Sequence, residues 1–144
     1  MQGVMHGVTF GSKHSYREWG LILKSRPVIS PPKPKTKLIQ IPGSDKVIDL
    51  TESLTGAVHY EPRTVSCEFI VADGRHKWPA VYSAVLEAVH GKRLRIILDD
   101  DPNYYYEGRV SVDEWQSEEV TSTIVITAEV EPFKRSRFGS EAKL

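Results

Sequence analysis

The chain has 144 residues, 40% of them hydrophobic and 26% charged, and nineteen basic side chains balance nineteen acidic ones. That length suits one domain, able to bury about 70% of its unfolded surface without help from metal or disulfide. Zero net charge leaves no electrostatic footprint for nucleic acid and lowers the barrier to self-association; the single cysteine excludes an internal disulfide framework.

The opening MQGVMHGVTF lacks the charged and apolar regions of a secretory leader, and no run approaches the ~18 apolar residues of a membrane span, so folding in a cytoplasm without a membrane is expected. Residues 7–11 (GVTFG) read as a short strand, and 14–19 (HSYREW) as a turn or a single helical turn. A second strand begins at Gly20 and is expected to run to about Ile29. Residues 30–37 (SPPKPKTK) interrupt it, because Pro31, Pro32 and Pro34 supply no backbone donor and favour an extended chain. This stretch reads either as a surface linker or as an arm reaching a neighbouring subunit, with three lysines and no counter-charge.

Residues 38–41 and 47–50 are two short strands separated by Pro42-Gly43-Ser44-Asp45, and 51–56 is polar and turn-like. From Thr64 to Ala72 the pattern alternates, with Val65, Cys67, Phe69 and Val71 on one face and Thr64, Ser66, Glu68 and Ile70 on the other. Cys67 therefore belongs to the core. Trp78, Val81, Tyr82, Val85, Leu86 and Val89 then form one stripe at helical spacing, predicting a packing helix over about 77–90, with Pro79 in its first turn and Gly91 just past its end. Leu94, Ile96 and Leu98 mark a strand. Tyr106 to Asp113 and Val120 to Val130 alternate about a polar turn near 116–118, giving the clearest hairpin. The polar residues 134–144 have no period and are expected to be a disordered tail or a linker, leaving 1–133 as the domain.

Three features invite a chemical reading. Asp99, Asp100 and Asp101 resemble a hard-cation site, but neighbours on a strand point to opposite faces, and Asp101-Pro102-Asn103 forms a turn. The five histidines, His6, His14, His59, His76 and His90, show no metal-ligand spacing, and His90 suits the negative end of a helix dipole. No phosphate loop, dinucleotide fingerprint or nucleophile elbow is present. No catalytic residue, metal or cofactor is therefore assigned, and the chain is not expected to be an enzyme. Tyr104, Tyr105 and Tyr106 suit an interface or the core better than nucleic acid. Candidate subunit-contact residues are Pro31, Pro32, Lys33, Pro34, Lys35, Tyr104, Tyr105 and Tyr106.

Five phrases in order give a resemblance: GVTFG with YREWGL; residues 26–34; IPG leading to DLTE at 49–52; LEAVHGK at 86–92; and LDDDP with YYYEGRV at 98–110. Together the chain resembles the N-terminal domain of the distal tail protein family of long-tailed phages and prophages of Gram-positive bacteria. The resemblance implies a mainly β fold, an antiparallel barrel or sandwich with one flanking helix, related to the phage tail-tube protein. It also implies a structural role in the virion tail: a ring, hexameric in the family, joining the tail tube to tail-tip or baseplate proteins, with DNA passing through without specific binding. Many members continue into a lectin-like domain; the chain is then a short member or part of a longer one, and sugar binding is not carried over. The alternative class is a small β module binding carbohydrate or peptide through its tyrosines.

Overall fold

A computed structural model describes residues 7–53 and 56–144; His6, the leader question at residues 1–6, and Leu54 and Thr55 of the expected turn lie outside them. In chain order the elements are β1 (Val8–Phe10), β2 (Lys13–His14), α1 (Ser15–Trp19), β3 (Leu21–Leu23), β4 (Val28–Ile29), β5 (Leu38–Gln40), β6 (Val47–Asp49), β7 (Arg63–Val71), α2 (Trp78–Val89), β8 (Arg93–Leu98), β9 (Tyr104–Ser117), β10 (Ser122–Val130), β11 (Lys134–Ser136) and β12 (Ala142–Lys143). The main sheet is antiparallel in the order β2-β1-β8-β9-β10-β7-β3, with β4 also on β7 and the β11–β12 pair attached to β9. β5 and β6 pair only with each other, as a separate two-stranded sheet.

Because the order begins at β2 and ends at β3, the sheet is open, and the barrel alternative gives way to a curled, sandwich-like sheet. The curl is visible in one contact. Phe10 on β1 and Phe69 on β7 are separated in the sheet by β8, β9 and β10, yet their rings meet edge-on with centroids 6.4 Å apart. The alternation of β7 makes this possible: Val65, Cys67, Phe69 and Val71 are buried and meet inward residues of β10, Ile124, Ile126 and Ala128. α2 seals part of this core with Trp78, Val85 and Val89, while its Tyr82 ring stacks on Trp115 of β9 at 4.3 Å and 18°. A 3-10 turn at Arg75–Lys77 precedes it.

Three expectations change. The strand proposed over 20–29 is two pieces: Leu21 pairs with Val71, whereas Val28 pairs with Ser66, so the register slips by two across the stretch ending at Pro27. The central hairpin begins earlier and turns later than the pattern indicated, at Tyr104 and between Glu118 and Thr121, whose N–H···O bond of 2.7 Å closes it. Residues 134–144, expected without regular structure, form a hairpin on β9, with Arg135 opposite Tyr105 and Ser136 opposite Tyr104. Polar composition hid this because the hairpin is held by charges. The Lys134 ammonium lies 2.6 Å from Asp101, and Arg137 donates to the Pro102 carbonyl at 2.8 Å.

Candidate subunit interface

The proline stretch is one side of a long ribbon. Val28 and Ile29 pair with Ser66 and Val65, Ser30 N–H donates to Thr64 O, Glu61 N–H to Lys33 O, Lys35 N–H to His59 O, and Pro34 bridges Tyr60. Pro31 and Pro34 are exposed and Pro32 is half-buried, with Lys33 and Lys35 exposed beside them. Prolines on such a strand cannot donate to a foreign chain, so this part of the ribbon resists edge-to-edge pairing.

The ribbon ends in the β5–β6 hairpin. Ile41-Pro42-Gly43-Ser44 form a turn closed by Ser44 N–H to Ile41 O at 3.1 Å, and Gly43 supplies the φ of +75° that its second central position demands. Cross-strand pairs share a face. Ile39 lies opposite Ile48 and Leu38 opposite Asp49. One face is therefore aliphatic, with Ile39, Ile41, Ile48 and the half-buried Leu50, and lysines 37 and 46 at its ends; the other mixes Leu38 and Val47 with Gln40 and Asp49. Ile39, Ile41 and Ile48 remain 43%, 38% and 44% exposed, and Leu38 59%. At the base, Leu50 N–H donates to Lys37 O, and the Thr51 hydroxyl and N–H both donate to Asp49, holding its carboxyl below the usual range.

Arg63 roots the ribbon. It is 9% exposed, donates from Nε to Ser30 O at 3.0 Å and from Nη1 to Pro132 O at 3.2 Å, and sits 5.7 Å over the Tyr106 ring. Tyr60 packs edge-on against Phe133 beside it. The alternation legible in the sequence starts at Thr64 and leaves Arg63 out, although the same period of two puts it on the inward face with Val65.

The tyrosines separate. Tyr106 is 5% exposed and belongs to the core, one of the two places offered for it, so it drops out of any contact surface. Tyr104 and Tyr105 are half-buried. The Lys134 and Lys143 ammoniums each lie 4.8 Å from the Tyr104 ring, and the Arg95 guanidinium 4.5 Å from that of Tyr105. β11 already pairs their backbone, so the strand edge at these two candidate contact residues is occupied by the chain's own C-terminal hairpin.

The aspartates diverge. Asp99 Oδ2 accepts from Gly7 N–H and lies 2.9 Å from His14 Nε2; Asp100 faces Arg26 at 3.4 Å; Asp101 pairs with Lys134. The β8–β9 turn thus ties together the N-terminal strand, the β3–β4 connection and the C-terminal hairpin. His14 completes the first tie as the cap of α1, its Nδ1 accepting from Tyr16 and Arg17 N–H at 3.2 and 3.5 Å. His90 Nδ1 accepts from Val112 N–H at 3.0 Å, so the ring fixes the end of α2 to β9. Burial pushes the Cys67 thiol up to about 12, which leaves it protonated and inert at neutral pH. Among the described residues no helix is long and apolar enough to cross a membrane.

No protein-family model matches the chain, and neither does any curated protein. A solved structure does: the Dit protein (gp 19.1) of SPP1, described as a paradigm of the hub adsorption apparatus in phages infecting Gram-positive hosts. The two share 12% identity and superpose with a TM-score of 0.64 over 92% of this chain and 53% of that one. The chain therefore has the fold of part of that protein and spans about half its length.

Proposed function

With the SPP1 Dit fold as premise, we propose that this chain is a structural subunit of a phage or prophage tail tip, assembling with copies of itself into a closed ring. The observation that carries the reading is the shared fold over 92% of the chain, and the exposed aliphatic hairpin supports it. In this reading the ring is a hexamer in the virion tail, joins the tail tube to the tail-tip or baseplate proteins, and performs no catalysis.

Physical features fit such a subunit. A two-stranded hairpin is marginal in water unless something packs on it, and here aliphatic side chains face outward. Heterologous contacts between unlike patches generate rings when the rotation closes. The outer face of the sheet suits a channel through which DNA moves without being held. On it Arg93 is answered by Glu107 and Glu131 at 3.3 and 3.1 Å and Arg109 donates to the Gly91 carbonyl, so basic and acidic groups are interspersed there instead of forming the positive patch that binds phosphates. Mass measurement by light scattering across a concentration series, with negative-stain imaging, tests the proposal: a discrete multimer with an open centre is expected, and a monomer at every concentration would defeat it.

A further inference from the structure

The ring reading leaves open what covers the aliphatic face of the β5–β6 hairpin. We infer that this face docks in the groove between α1 and α2 of the next copy, so that each subunit offers one arm and one receptor. The inference rests on the ring reading and adds the contact that would close it.

Within its own chain the arm's aliphatic face stays open to solvent. The groove has a volume of about 790 Å³, and its apolar floor is built of Trp19, Gly20, Ala72, Ala80, Val81 and Ala84. Ala80 and Ala84 are exposed on the outward side of α2, where side chains this short let a strand backbone approach closely. Two other clefts, of 450 and 420 Å³, are charged over more than half of their lining, with Lys35, Arg93, Arg109, Glu129 and Glu131 in one and Lys13, Glu18, Glu87 and Lys92 in the other, against four charged residues of eleven in the groove, so an isoleucine pair would strand a larger share of charge there. A protruding aliphatic hairpin and a recessed apolar groove are thus present on one chain in equal number.

Charge favours a second copy as the occupant. Lys37 and Lys46 end the arm's aliphatic face, and Glu18 and Asp73 line the groove. Arg17 and Lys77 on the groove walls offer cations to Asp45 in the arm's turn. Both surfaces carry both signs, as expected of a neutral chain meeting itself, whereas a strongly charged partner would leave one pair of each set opposed. The arm and the groove are different patches of one chain, so the contact is head-to-tail and propagates from copy to copy.

The test uses the full chain in two variants that each add one cysteine, Ile39→Cys and Ala84→Cys, mixed and treated with a short bis-maleimide. The native Cys67 is buried and protonated and does not compete. The mixture is expected to give a covalent species of twice the chain mass, roughly fivefold or more above either variant alone and above the control pair Ile39→Cys with Asp113→Cys. In parallel, Ala84→Arg should cut the assembled fraction about tenfold with an unchanged circular dichroism spectrum, and Ala84→Ser should restore it. A ring that persists in Ala84→Arg with cross-linking at the control level would overturn the docking site and leave the ring reading intact. A wild-type chain that never assembles would overturn both.

Discussion

Gly108 sits in β9 opposite Leu94 of β8 and Val130 of β10, and the register around it positions Arg63, Tyr106 and the root of the ribbon. A Cβ added there would lie 2.0 Å from the Glu129 carbonyl oxygen and 2.5 Å from Val130 Cα, both backbone atoms. Ordinary contact begins near 3.4 Å, so β10 would have to retreat by about 1.4 Å. It is pinned on both sides, by β7 and by the Glu131 N–H to Glu107 O bond at 2.9 Å. Overpacking typically costs 1–3 kcal/mol, and an immovable backbone places Gly108→Ala at the upper end, about 3 kcal/mol. Unfolding entropy near 2.1 cal/mol/K per residue gives roughly 300 cal/mol/K for this chain, hence a fall in Tm of about 10 °C. Gly91→Ala is the control: its φ is +78° with nothing within 4 Å of the added atom, so it suffers only the left-handed backbone penalty of about 1 kcal/mol, or ~3 °C. Scanning calorimetry of the two variants decides. If Gly108→Ala melts within 3 °C of the wild type, the β9–β10 register is wrong.

Asp99→Ala removes the acceptor of Gly7 N–H and the partner of His14 Nε2, and chemical denaturation should show a loss of about 1–3 kcal/mol. Asp101→Ala should act locally, speeding hydrogen exchange across 134–143 several-fold with a Tm change of only about 2–3 °C, because its pairing with Lys134 holds a terminal hairpin and not the core. Cys67 should resist thiol reagents at pH 8 until the chain unfolds, at the rate of global opening. Its folded pKa is raised from an unfolded value near 8.5, so its contribution to stability is complete below that pH and lost as pH climbs towards about 12. Alkaline titration of the melting temperature reads this directly: a loss beginning below pH 8 would point to a different group.

Much of the sheet was legible because period-two alternation reports burial on one face, and β7 and β10 keep that period throughout. α2 was legible from its stripe and from Pro79 and Gly91. What escaped depends on partners distant in sequence. Whether residues 134–144 pair with β9 is decided by Asp101 and Tyr104, more than thirty positions away in the case of Lys134. Sheet closure could not be read from strand patterns, since barrel and open sandwich share them. At the candidate interface the sequence pointed to the prolines, which prove to stiffen the stem, while the exposed aliphatic face sits farther out. Ile39, Ile41 and Ile48 looked like ordinary strand residues, because apolar side chains do not announce whether their own chain will cover them. A turn of Pro-Gly between two apolar trios was the available signal, since a hairpin that short cannot bury its own faces.

Native mass spectrometry of the full chain, over concentrations spanning the micromolar range, addresses self-assembly most directly. A single stoichiometry of identical subunits, six in the proposed ring, dissociating when Ile39 and Ile48 are changed to aspartate, is the expected result; one copy per particle throughout, with the hairpin variant indistinguishable from the wild type, would contradict it.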